Sequence, residues 1–215
     1  MTWFHLNPTL YIYIYIYIYV ILKYTWGVSR TKLSWLIPSL DRVWVLTRSR
    51  SKALSNFPVK DYPRIVIAEE AEWRNCIQGS TVVVNLAGLP ISTRWSPETK
   101  KEIKNSKIRV TSKVVDLIDG SQDKLGPKVL TSATAVGYYG TSKTRVFDEQ
   151  SPSGNDYLAE VCREWEVAAL SVNKDIRVAL IRIGVVLGKE GGALAKMIPL
   201  FMMFAGGPLG QAIVD

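Results

Sequence analysis

Two arginines, Arg48 and Arg50, stand one residue apart just after a short apolar run, in the tetrapeptide Thr-Arg-Ser-Arg at 47–50. A guanidinium is planar, always charged and matched to phosphate oxygens. At the end of the second strand of a dinucleotide-binding sheet, an acid suits a free ribose 2′-hydroxyl and an arginine suits a 2′-phosphate. Thr47, Arg48 and Arg50 are therefore candidates for holding NADP(H). Taken alone, the same residues also read as a basic surface loop. A second candidate is Asn-Leu-Ala-Gly at 85–88, where Leu86, Ala87 and Gly88 offer a backbone with little side-chain bulk that could lie against an adenine and its ribose. The usual companion of such sites is a glycine-rich turn after the first strand, whose amides cradle the pyrophosphate. Gly27 is the only glycine in residues 1–42, so that turn is absent and cofactor binding is expected to be impaired.

Other chemistries are excluded early. The single histidine is His5 and the two cysteines, Cys76 and Cys162, are far apart. Histidine general-base catalysis, a zinc site and a disulfide framework are not expected, and no metal is assigned. The net charge of +8 is dispersed along the chain. Nucleic-acid binding shows clustered Lys/Arg within a recognisable motif, so no nucleic-acid partner is expected.

The elements that must position these residues follow from pattern. The apolar runs at 43–46, 64–69, 80–88, 128–140 and 176–188, bounded by polar residues or glycine, predict buried parallel strands. Ser96, Pro97 and Glu98 form a helix start, and Ile103, Val110, Val114, Leu117 and Ile118 recur at helical spacing up to Gly120. A second helix is predicted over 155–172, with Leu158, Val161, Cys162, Trp165, Ala169 and Val172 on one face. Strands alternating with helices predict an α/β fold, a Rossmann-like doubly wound parallel sheet. Ligands of such sheets bind beyond the carboxyl ends of the strands.

The N-terminal stretch YIYIYIYIYV, residues 11–20, stands apart. Its apolar span is shorter than the roughly 20 residues a bilayer demands. As a strand it would be uncharged and prone to aggregation if exposed. A TA-dinucleotide repeat also encodes alternating Tyr and Ile, so residues 1–42 are expected to be an aberrant, low-complexity segment, with a membrane-surface anchor as the alternative. On this reading the partial Rossmann-like domain runs from 43 to 210, residues 211–215 form an aberrant tail, and the first βα unit and a C-terminal substrate region are missing.

In order, NLAG, SATAVGYYG, DYLAEVCREWE, RIGVVLG and GGPLG resemble the short-chain dehydrogenase/reductase superfamily in its extended, epimerase-like form. More narrowly, residues 43–210 resemble its atypical epimerase-family branch, whose plastid members are of the Giant Chloroplast or SulA-homologue type. The resemblance implies NADP(H), an unknown small-molecule substrate, a chloroplast location, a link to plastid division and a possible association with the plastid inner membrane surface. It further implies that Thr134 and Tyr157 occupy the catalytic Ser/Thr and Tyr positions, with Val161 where a lysine is usual. Without that cation a tyrosine titrates near 10, which leaves the chain's status as an enzyme open. Glu102 and Lys107 are implied to approach the cofactor.

Overall fold

The computed structural model describes residues 18–21, 43–121, 126–185 and 192–207. Six parallel strands form one sheet: β1 (Ile18–Ile21), β2 (Val43–Leu46), β3 (Ile65–Ala68), β4 (Val82–Asn85), β5 (Val129–Ala135) and β6 (Arg177–Ile183), in the order β3-β2-β1-β4-β5-β6. The described helices are α1 (Arg50–Asn56), α2 (Trp73–Gln78), α3 (Pro97–Asp119), α4 (Tyr157–Leu170) and α5 (Gly192–Met202).

The sheet is wound on both faces because its buried strands carry apolar residues on both. In β2, Val43 and Val45 pack with Ala53 and Phe57 of the α1 side, while Leu46 packs with Trp73 and Ile77 of α2 and Val114 and Ile118 of α3. Successive side chains of a strand point to opposite faces, so one short run anchors two layers.

The two long helices begin as their sequences dictate. The Ser96 hydroxyl accepts the Thr99 amide at 3.1 Å, with Pro97 in the first turn. The Asp156 carboxylate accepts the Ala159 amide at 2.8 Å at the start of α4. Each cap satisfies an otherwise unpaired N–H. Ile103, Val114 and Ile118 are buried, and Val110 and Leu117 are partly buried against the same cluster.

One expectation needs correction. The place of the first strand was expected to be vacant, leaving the flanking strand edges open. Instead Ile18–Ile21, the end of the Tyr/Ile repeat, pairs in parallel with β2 through Ile18↔Val43 and with β4 through Ile18↔Val82. The physical reason is that β2 and β4 each present a row of unpaired backbone groups, and an uncharged β-branched and aromatic segment satisfies both. The glycine-poor stretch 22–42 and the tail after 207 lie outside the described residues.

Candidate functional site

The chain direction through the sheet reverses between β1 and β4: one half runs outward β1-β2-β3, the other β4-β5-β6. Such a switch point opens a crevice beyond the carboxyl ends of the strands. In register, Ile21 lies beside Asn85, and Asn85 beside Ser132.

On the outer side of the crevice, β2 ends in the buried Thr47. Its hydroxyl accepts the Ser49 amide at 3.0 Å and thereby shapes the turn. Arg48 and Arg50 are both exposed at this tip, Arg50 as the first residue of α1. The Ser49 and Ser51 hydroxyls lie 3.2 Å apart in the same turn. These two serines were not singled out in the sequence, although the alternation Arg-Ser-Arg-Ser was the signal for them. The tip is not purely basic: the Arg50 amide donates to the Glu69 carboxylate at 3.3 Å, and its guanidinium is 3.9 Å from that of Glu72.

On the inner side, Asn85 is fully buried and fixes the turn after β4. Its amide donates to the hydroxyls of Thr111 at 2.7 Å and Ser132 at 3.2 Å, and its carbonyl accepts the Ala87 amide at 3.2 Å. Thr111 also accepts the Trp165 indole N–H at 2.8 Å. One amide side chain thus ties β4, α3 and β5 together, with α4 joined through Trp165. Leu86 packs toward the α1-side cluster, Ala87 is fully buried, and Gly88 lies under Lys107. A Cβ at Gly88 would stand 2.7 Å from Lys107 Nζ and 2.8 Å from its Cγ, so the lysine crosses the turn only because the residue there is glycine.

Lys107 Nζ donates to the Leu89 carbonyl at 2.7 Å and lies 5.0 Å from the centroid of the Trp165 ring. Burial pulls its pKa down to about 8. Glu102, by contrast, is exposed. Five residues separate the two, which turns them about 140° apart around a helix of 3.6 residues per turn, so α3 brings Lys107 onto the turn after β4 and leaves Glu102 on a different, exposed face.

Thr134 lies at the end of β5, buried, with no hydrogen-bond partner for Oγ1 among the described residues and the Cys162 thiol as its neighbour. Tyr157 opens α4. Its hydroxyl donates to the Lys100 carbonyl at 2.5 Å, and its ring meets Trp95 edge-on at 5.5 Å. Burial pushes the phenol's pKa up, against a smaller pull from the Lys104 ammonium. Lys104 is itself held by Glu160 and Glu164, each at 2.6 Å. Val161, one turn along α4, is buried and brings no charge.

The sequence reading missed the ion pair beneath the neighbouring turn. Arg182 of β6 meets Glu166 of α4 with two bonds of 2.9 Å and donates to the Tyr139 hydroxyl at 2.9 Å. Its guanidinium lies 3.6 Å from the Tyr138 ring centroid. The Glu166 carboxylate holds the Arg182 pKa well above its ordinary value. Beyond this clamp lies a cavity of about 590 Å³, lined by Tyr139, Gly140, Ser142, Arg145, Phe147 and Asn155 among others. Gly140 has φ +70° and packs on Gly154, a conformation and a contact that call for glycine. Among the described residues there is no cluster of metal-ligating side chains, and no helix is long and apolar enough to cross a membrane.

Comparison with known proteins sets this geometry in context. No family model matches the chain. Over 167 residues it is 78% identical to the Arabidopsis thaliana epimerase family protein SDR39U1 homolog, chloroplastic, covering 78% of this chain and 48% of that protein. An epimerase family protein of Mycobacterium leprae is 35% identical over 154 residues, 67% of this chain and 49% of the relative. The crystal structure of human epimerase family protein SDR39U1 with NADPH superposes with a TM-score of 0.65 at 26% identity, covering 88% of this chain and 61% of that one. The chain is therefore similar to proteins of the epimerase family, and it spans about half the length of the curated relatives it matches.

Proposed function

We propose that this chain is a part of an epimerase-family protein and binds NADP(H) across the β1/β4 crevice, with the 2′-phosphate at the β2 tip. The observation that carries the reading is the crevice itself: a switch point flanked by Arg48 and Arg50 on one side and by the Asn85-pinned turn on the other. The human relative bound to NADPH supports the choice of cofactor. Thr47 shapes the tip, Arg48 and Arg50 meet the 2′-phosphate, Leu86 to Gly88 face the adenosine side, and Lys107 reaches the crevice from α3.

Low affinity is expected of this chain, because residues 22–42 contain one glycine, whereas the turn that normally cradles a pyrophosphate is glycine-rich. The test is calorimetry with NADPH and NADH. NADPH binds the more tightly, with a dissociation constant weaker than micromolar, and the double variant Arg48→Ala/Arg50→Ala loses about tenfold or more in NADPH affinity while NADH is unaffected. Equal binding of both dinucleotides by the unaltered chain refutes the assignment of the tip.

Whether the cofactor serves catalysis on a small molecule or a scaffold is decided at Tyr157. Its bonded hydroxyl, its raised pKa and the neutral Val161 beside it favour a non-catalytic, cofactor-dependent role. General acid/base work wants a pKa near the working pH. The catalytic alternative keeps Thr134 and Tyr157 as the reacting pair. The 78% identical relative is chloroplastic by name, and a plastid location, with inner-envelope association and a part in plastid division, is the setting in which both readings are to be tested. Complementation of a null plant by a Tyr157→Phe variant separates them: full rescue leaves the scaffold, and loss of rescue with NADPH binding intact restores the catalyst.

A further inference from the structure

The cavity beyond the Arg182 clamp is not accounted for by the dinucleotide. None of the residues assigned to the cofactor lines it, and neither Thr134 nor Tyr157 does. Its frame is fixed at several points. The Gly154 amide donates to the Tyr138 carbonyl at 2.9 Å, and a Cβ added to Gly154 would stand 2.7 Å from the Gly140 Cα. Arg163 of α4 donates to Ser153 Oγ at 3.1 Å and to the Gly154 carbonyl. Arg182 holds the other side, through the Tyr139 hydroxyl at 2.9 Å and the Glu149 carbonyl at 3.0 Å. At about 590 Å³ the cavity is in the range of small-molecule sites, which are largely preformed.

What the walls offer is mostly donors. Ser142 Oγ accepts the amides of Thr144 at 3.3 Å and Arg145 at 3.0 Å, and Ser153 Oγ accepts Arg163, which leaves both O–H groups to donate. The side chains of Thr141 and Asn155 have no hydrogen-bond partner among the described residues. Arg145 is the cation of the lining, and among the described residues no carboxylate lies within ion-pair distance of it. Its guanidinium lies over the Phe147 ring, 5.4 Å from the centroid, and such stacking leaves the N–H fork for a carboxylate. Asp156 is the acid of the lining, already committed to the Ala159 amide at the start of α4. A wall with one charge of each sign suits a monoanion better than a dianion. Tyr139 and Phe147 stack with centroids 5.3 Å apart and supply apolar surface for a carbon chain. The geometry points to a binding site for a small hydroxylated carboxylate, with the carboxylate on Arg145 and the hydroxyls on Thr141, Ser142, Ser153 and Asn155. A bare carboxylate would leave most of the cavity and its hydroxyl and amide groups unused. The inference goes beyond the cofactor reading and stands without it.

The experiment is an amide NMR titration of the full chain with three probes: gluconate, sorbitol (the same length of hydroxylated chain without the charge) and inorganic phosphate. Gluconate is expected to bind with a dissociation constant on the order of 1 mM and to shift the amides of Gly140, Ser142, Arg145, Gly154 and Asn155. Sorbitol and phosphate bind at least about tenfold more weakly, and Arg145→Gln weakens gluconate by about tenfold. The spectrum of that variant away from the cavity reports that it is folded. No shift with gluconate at about 10 mM, or shifts confined to other residues, overturns the site. Sorbitol or phosphate binding as tightly as gluconate overturns the carboxylate assignment, as does undiminished gluconate binding by Arg145→Gln. Should that variant fail to fold, the three probes on the unaltered chain still decide the matter. None of these readouts depends on whether NADPH binds.

Discussion

Asn85 and Lys107 show how single residues can serve opposite ends at one turn. Asn85 is a buried polar group with its amide donors and its carbonyl satisfied, so it fixes the loop at no net cost. Asn85→Leu leaves the Thr111 and Ser132 hydroxyls and the Ala87 amide to find other partners. Its expected destabilisation is about 2 kcal/mol or more, measured by urea unfolding. Lys107 is the converse, a half-buried charge whose lowered pKa marks it as costly in the free chain. The sign of its pH dependence follows from linkage. The folded pKa, about 8, lies below the unfolded lysine value of roughly 10.4, so between these the unfolded chain binds more protons and stability rises with pH. Relative to Lys107→Met, the unaltered chain is expected to gain up to about 1.4 kcal/mol per pH unit across pH 8 to 10. A flat difference over that range would show that Lys107 is no more desolvated when folded than when unfolded.

At the scale of elements, legibility depended on length and on caps. The helices α3 and α4 were readable because each offers a capping side chain and three or more turns of apolar spacing. The segments Arg50–Asn56 and Trp73–Gln78 are too short to show a stripe, and their helicity comes from packing Ala53, Trp73 and Ile77 onto the sheet. The pairing of Glu166 with Arg182 was missed because an acid in one helix and a base in a later strand carry no mutual signal until the fold joins them. Their pair ties α4 to β6 and the Lys104 pairs tie it to α3, yet they are not equal. Glu166 is nearly buried and bonded through both oxygens, whereas Glu160 and Glu164 are exposed. Glu166→Gln is therefore expected to cost about 3 kcal/mol by stranding the guanidinium, and Lys104→Met less than about 1 kcal/mol. Chemical unfolding of both variants distinguishes them, and equal losses would show that burial does not set the strength of this clamp.

For the whole molecule, the decisive element is the one the sequence disguised. An alternating Tyr/Ile repeat looks the same after a slip of two residues, so nothing inside it marks where a strand begins. The boundaries at Ile18 and Ile21 come from β2 and β4, which need a partner on each inner edge. This strand also sets the crevice: without it the sheet would fall into a β2-β3 ribbon and a β4-β5-β6 sheet, and the switch point that brings the Arg48 tip and the Asn85 turn to one cleft would not exist. Amide hydrogen exchange tests this directly. With β1 in place, the amides of β2 and β4 that face it exchange as slowly as those of the β4/β5 ladder, because all are paired and buried. Val20→Pro removes a donor from the middle of the strand and clashes with a central ladder. It is expected to speed exchange at the inner edges of β2 and β4 first, to spare β5 and β6, and to abolish the discrimination between NADPH and NADH together with the cleft. Fast exchange at those inner edges in the unaltered chain would instead mean that β2 and β4 stand apart in solution, and the two flanks of the crevice would then have to be treated as separate surfaces.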